Sequence, residues 1–198
     1  MNFIKTNFLR LMVLFFCLTI SLPFYAQVSN EMKTPKAFFG FKPGADRMMF
    51  DYEKQIDYLK HLAQNSPRLK LEKIGESPMG KPMYAAFFSK ASNIDNLEKL
   101  RKINEQLALN PDLSGDQKAT YIQNGKVFFI ATLSMHASEV GPSQASPLIA
   151  HKLVTTQSKD TLKWLNDVVY MMIPSHNPDG MNMIVEHYKK YKGTKYEG

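Results

Sequence analysis

Lys126-Val127-Phe128-Phe129-Ile130-Ala131-Thr132-Leu133 runs into Ser134-Met135-His136-Ala137-Ser138-Glu139 and then into Val140-Gly141-Pro142. The first eight residues are nearly continuous in apolar, β-branched and aromatic side chains, the composition of a central strand buried on both faces. Beyond the turn, Ala145, Leu148, Ile149, Leu153 and Val154 recur at near-helical spacing, which predicts a helix over 143–156. The order is buried strand, polar loop, amphipathic helix. In open α/β sheets ligands bind in loops outside the carboxyl ends of the strands, and His136 and Glu139 lie there. An imidazole and a carboxylate three positions apart can converge on one face of a turn, and each is a donor that Zn²⁺ accepts at about 2.0–2.2 Å. The same residues also suit a capping loop, with His136 bonded to backbone and Glu139 set against the dipole of the following helix. Local spacing leaves both readings open.

Outward from this stretch, Asp167 to Ile173 reads as a second buried, near-continuous apolar strand, reached through a brief helix around Thr161–Asn166. It ends in Pro174-Ser175-His176-Asn177-Pro178-Asp179-Gly180. Asn-Pro-Asp-Gly is a turn signal: Pro presets φ, Asp bonds its own backbone, and Gly accepts positive φ. His176 beside that turn is expected to satisfy backbone groups rather than to ligate. A helix or helical turn follows over 183–191. On the N-terminal side, Gln27 to Pro43 is an irregular lead-in, and Tyr52 to Gln64 carries Tyr52, Ile56, Leu59 and Ala63 on one helical stripe. Leu69–Ser77 and Met83–Ser89 read as a hairpin joined by Pro78-Met79-Gly80-Lys81-Pro82. Asn93–Leu109 reads as a second helix, and Asn110–Asn124 as a polar loop. Strands alternating with helices predict an α/β domain, a three-layer α/β/α arrangement around a mixed, mostly buried sheet.

The first residues have the layout of a secretory signal peptide: Lys5 and Arg10, an apolar run from Leu11 to Phe24, and a small residue at Ala26. That run of about 14 residues is shorter than the roughly 20 that span a bilayer. Residues 1–26 are therefore assigned to the signal and 27–198 to the mature domain, secreted or periplasmic. Cys17 would leave with the signal, so the mature chain could form no disulfide and offer no thiolate to a metal. Any zinc site must then use His and carboxylate. The formal charge of +7 is scattered lysine, with Lys189-Lys190-Tyr191-Lys192 the one basic run. That pattern lacks the clustered arginine of nucleic-acid binders, and neither nucleic acid nor, after signal cleavage, a membrane is expected as a partner.

Taken together, the strand with His136-Ala137-Ser138-Glu139-Val140-Gly141 and the strand ending in Pro174 with Asn177-Pro178-Asp179-Gly180 resemble the zinc metallocarboxypeptidases of the carboxypeptidase A type. Tyr58-Leu59, Ser66-Pro67-Arg68, Ile74-Gly75-Glu76-Ser77 and Gly80-Lys81-Pro82-Met83 are similar to that family's first helix and opening hairpin. The likeness covers roughly residues 38 to 198, with its segments in the family's order. Pro43-Gly44-Ala45-Asp46 resembles the lead-in of secreted bacterial members.

The resemblance implies that His136 and Glu139 are two ligands of a catalytic Zn²⁺, and that peptides or proteins are the substrates, trimmed from their C-termini. It also implies a third histidine ligand, carboxylate-gripping arginines and a late glutamate base, for which this chain has no counterparts; no arginine follows Arg101. Nothing in the motif places Glu186, His187 or Glu197 in those roles. The chain is therefore read as the N-terminal portion of a zinc carboxypeptidase catalytic domain, truncated relative to the family domain and inactive alone. Two alternatives stand beside it: a non-catalytic secreted binding protein on the same fold, and an amidase or deacylase on the same scaffold. Catalytic residues and oligomeric state are left unassigned.

Overall fold

The structure is a computed structural model that describes residues 32–197. The signal segment and Cys17 lie outside the described residues. Four strands, β1 (Leu69–Glu76), β2 (Pro82–Phe88), β3 (Val127–Thr132) and β4 (Val168–Ile173), form one mixed sheet in the order β1-β2-β4-β3. β1 and β2 are an antiparallel hairpin pairing Leu69 with Phe88 and Leu71 with Ala86. β2 runs antiparallel to β4, and β3 parallel to β4 with Val127 opposite Val168 and Thr132 opposite Ile173. A parallel neighbour requires a crossover. It is made by α6 (Val140–Thr155) and α7 (Lys159–Asp167).

Strand side chains alternate between faces, and the two faces are covered by different helices. Ala86, Phe88, Tyr170 and Met172 join the larger core with Tyr58, Leu59 and Leu62 of α2 (Tyr52–Asn65), Ala150 and Val154 of α6, and Met181 and Val185 of α8 (Pro178–Tyr191). Ala85, Phe87 and Val169 face the other way, onto Leu97 and Leu100 of α4 (Leu97–Leu109). Helices thus lie on both sides of a mixed sheet, as the alternation of elements predicts.

Five details differ from the sequence reading. β3 is not central: it is the edge strand, and Val127, Phe129 and Ile130 are 65%, 56% and 58% exposed. Its composition is that of a strand buried on both faces, but among the described residues only β4 pairs with it. The 110–124 segment is not a loop; Gly115–Asn124 is helix α5. There Ser114 Oγ accepts from Gln117 N–H while the Gln117 side chain accepts from Ser114 N–H, a reciprocal capping box. The expected helix over Asn93–Leu109 is broken at Asn96 into α3 (Ala91–Asp95) and α4, and the lead-in contains a short helix α1 (Pro35–Phe39) capped by Thr34. Asn177-Pro178-Asp179-Gly180 is the cap and first turn of α8 rather than a free turn: Asn177 Oδ1 accepts from Gly180 N–H at 2.9 Å, Pro178 occupies the first turn, and Gly180 does not have positive φ.

One buried amide ties the layers to the end of the sheet. Pro147 sits inside α6 and has no N–H, so the carbonyl four residues back, that of Ser143, loses its helical donor. Gln55 Nε2, wholly buried on α2, donates to Ser143 O at 2.9 Å and also to Pro174 O at 2.9 Å, just beyond β4. The Ser146 hydroxyl donates to Ser143 O as well, at 2.8 Å.

Gln55→Leu is expected to lower stability by about 1–3 kcal/mol, because Pro174 O loses its Gln55 donor and Ser143 O keeps only the Ser146 hydroxyl. Chemical denaturation should show a smaller loss in a Pro147→Ala background, where a new N–H serves Ser143 O. Separately, Ile130→Lys should reduce concentration-dependent association by charging the bare strand edge, read by light scattering, while leaving the melting temperature nearly unchanged.

Candidate metal centre

β3 and β4 are parallel, so their carboxyl ends emerge side by side. The pairing continues past both strands: Leu133 N–H donates to Ile173 O at 3.0 Å and His176 N–H to Leu133 O at 2.7 Å. The chain then turns sharply at Ser134, which is buried and holds φ at 53°, a left-handed value uncommon for a residue with a Cβ. Its side chain fixes that turn. Ser134 Oγ donates to Glu139 O across the loop and accepts from Ser143 N–H at 3.0 Å in the first turn of α6. The sequence reading missed Ser134; nothing in its spacing marks it, since its role depends on the turn it closes.

The loop brings the two sequence-predicted residues together. His136 Nδ1 lies 2.7 Å from Glu139 Oε1, and His136 N–H donates to Glu139 Oε2 at 2.9 Å. Glu139 occupies the N-cap position of α6 but does not cap it; its carboxylate turns back onto His136. The Glu139 side chain thus makes no cap hydrogen bond, although its charge stands at the positive end of α6. Both side chains are open to solvent, 71% and 48% exposed. The hydrogen bond and then the charge of Glu139 hold the His136 imidazole above its ordinary value, and the same bond holds the Glu139 carboxyl below its own.

A nitrogen and an oxygen converging at this distance share a proton and can exchange it for a cation. Two ligands of one tetrahedral zinc stand about 3.4 Å apart at ordinary bond lengths, so the pair need open only by about 0.7 Å, within reach of exposed side chains. The donors fit two positions of a zinc site. Among the described residues no group of three or more His, Cys, Asp and Glu side chains is gathered in metal-binding reach.

The remaining sequence candidates stand elsewhere. The His176 ring is exposed, and its backbone N–H is spent on Leu133 O. Glu186 and His187 lie on the exposed side of α8, where His187 packs on Tyr191 at 4.6 Å. Glu197 is held by Arg47, Gly193 N–H and Tyr188 OH. The other two arginines of the described residues are engaged away from the pair: Arg68 on Val154 O and Thr156 O, Arg101 on Glu98 and Glu105. A depression of about 710 Å³ between α4 and α5, lined by Glu98, Lys102 and Tyr121 among others, includes none of these candidates. No helix of the described residues is long and apolar enough to cross a membrane.

The described residues thus present a mixed α/β sheet with an exposed His–Glu pair at the carboxyl end of a parallel strand. The zinc carboxypeptidase family profile, Peptidase_M14, matches residues 55–197, and the chain belongs to that family. Among solved structures it is similar to carboxypeptidase A from Helicoverpa armigera, at 16% identity and a TM-score of 0.48 over 82% of this chain and 33% of that one. It is also similar to thrombin activatable fibrinolysis inhibitor, at 12% identity and a TM-score of 0.44 over 69% of this chain and 27% of that one. The chain thus spans about a third or less of the length of these structures. No curated protein matches it.

Titration of the His136 ring protons by NMR should give a midpoint above 6.5, the ordinary imidazole value. Glu139→Gln should bring it back down. Raised on folding, this group stabilises the fold below its unfolded midpoint and loses that contribution as pH rises through the folded one; a midpoint unmoved by Glu139→Gln would contradict the pairing.

Proposed function

We propose that the chain carries part of an exported zinc metallocarboxypeptidase domain that removes C-terminal residues from peptides or proteins, with His136 and Glu139 as two of its zinc ligands. The observation that carries this reading is the convergence of His136 Nδ1 and Glu139 Oε1 on an exposed loop at the carboxyl end of β3, in a chain of the zinc carboxypeptidase family. When bound, zinc supplies Lewis acidity toward a carbonyl and toward water. This chain's own residues do the holding: His136 offers its ring nitrogen, Glu139 its carboxylate, and Ser134 the turn that presents both. A catalytic zinc ordinarily has three protein ligands and an open position. On this reading the third ligand, the arginines that grip a terminal carboxylate and the general base are not among the described residues. The apolar leader of residues 1–26 supports export, and the absence of cysteine after Cys17 agrees with a site built from His and carboxylate.

Zn²⁺ titration of the 198-residue chain, followed through the five histidine ring signals, should perturb His136 first. His136→Ala and Glu139→Ala should each weaken that binding by about tenfold or more, at least the loss seen when an outer partner of a ligand is removed. Unchanged affinity in either variant would take that residue out of the site. Release of C-terminal residues by the complete gene product, abolished in both variants, tests the reaction itself.

A further inference from the structure

The four residues Asn177-Pro178-Asp179-Gly180 do more than start a helix. A Cβ built on Gly180 would stand 2.7 Å from the Ala137 Cβ and 2.6 Å from Asn177 Nδ2. Such a separation is well inside the 3.5–4.0 Å at which carbon atoms pack best. Ala137 lies between the two candidate ligands. Its neighbours His136, Ser138 and Glu139 are exposed, whereas Ala137 is half-buried, its methyl turned down onto Gly180. The loop is therefore pinned in two places: at Ser134, whose hydroxyl spans to Glu139 O and Ser143 N–H, and at Ala137, which sits on bare backbone. The seat is itself anchored. Asp179 is buried and accepts from Ser77 Oγ at 2.8 Å and from Met79 N–H at 3.1 Å, which fastens the first turn of α8 to the β1–β2 hairpin.

We propose that Gly180 is a positioning residue for the His136–Glu139 pair, because the height of the loop is set by the missing side chain at position 180. This rests on the zinc reading of that pair only where metal affinity is the readout; the packing stands without it. A methyl at 180 must push Ala137 outward by about 1 Å to restore ordinary contact. The loop is tied at both ends, so displacement in its middle tilts His136 relative to Glu139. A metal site holds its bond lengths to within about 0.2 Å. The displacement exceeds that tolerance several-fold.

Gly180→Ala should move the backbone amide signals of residues 135–139 and weaken Zn²⁺ binding by about tenfold, with Zn²⁺ alone as the probe. Ala137→Gly removes the opposing methyl, so the double variant Ala137→Gly/Gly180→Ala should recover most of both effects. Recovery would be partial, because Asn177 still crowds the new methyl. A merely structural role for Gly180 predicts no such rescue. If Gly180→Ala fails to fold, Ala137→Val applies the same push from the loop side and leaves α8 untouched; it should move the same amides. Unmoved amides in the variant that folds, or a double variant no better than the single one, would overturn the proposal. Absence of Zn²⁺ binding in the unmodified chain would instead overturn the zinc reading, and the amide shifts would still decide the positioning role.

Discussion

The side-chain amide of Gln55 is the point on which the site end of this molecule depends. A proline in the second turn of a helix ordinarily leaves a carbonyl without its donor; here the carbonyl is Ser143 O, and a buried glutamine from another element serves it. The same NH₂ group reaches Pro174 O. One residue of α2 therefore bonds both the first turns of α6, which follow the His136 loop, and the point where the chain leaves β4. Gln144 completes the arrangement by bonding both the N–H and the C=O of Phe50 as the chain enters α2. The amide is committed: turning it over would set Oε1 against two carbonyl oxygens. Its own Oε1, together with the hydroxyls of Ser143 and Ser175, has no protein partner. Unmet polar atoms are costly in a low-dielectric interior, and two of these three belong to the segments that follow β3 and β4.

From this anchor the two chemistry-bearing segments acquire different jobs. The loop after β3 presents donors; the segment after β4 supplies their support. His176 does not reach the pair, but its N–H bond to Leu133 O holds the two strand ends in register beyond the sheet. Asp179 turns away toward Ser77 and Met79, and Gly180 presents backbone to Ala137. The hairpin, the first turn of α8 and the His136 loop thus form a continuous stack. A change in any layer is transmitted by contact, because packed interiors do not absorb displacements of an ångström.

Much of this was legible in the sequence. His136 and Glu139 could be placed at a strand's carboxyl end because strand and helix periodicities on either side of them are unambiguous. The α/β alternation was readable for the same reason. The errors have physical causes. β3 was read as central because its residues are apolar throughout, and composition reports the environment a strand is suited to, not the neighbours it has. Helix α5 was missed because it buries none of its residues, so it carries no apolar stripe, and only the Ser114–Gln117 pair at its start betrays it. Asn-Pro-Asp-Gly was read as a turn because those residue types serve turns and helix starts equally. Gly180 was credited with positive φ when what it supplies is the absence of a methyl. Ser134, Gln55 and Asp179 act on partners five or more residues away, and no local pattern identifies such a partner.

The exposed edge of β3 and the His136 loop are one continuous piece of chain. Val127, Phe129 and Ile130 lead directly into Met135, itself 55% exposed, and then into His136. An apolar strand with one edge bare is a template for pairing. Any strand laid along that edge would run about 4.8 Å from β3, and a group at its matching end would arrive beside His136 and Glu139. Two exposed donors bind a cation weakly and hold no fixed coordination geometry. A strand laid there would also cover Val127, Phe129 and Ile130, so the solvent exposure of β3 and that of the His136 loop are two aspects of one bare sheet edge.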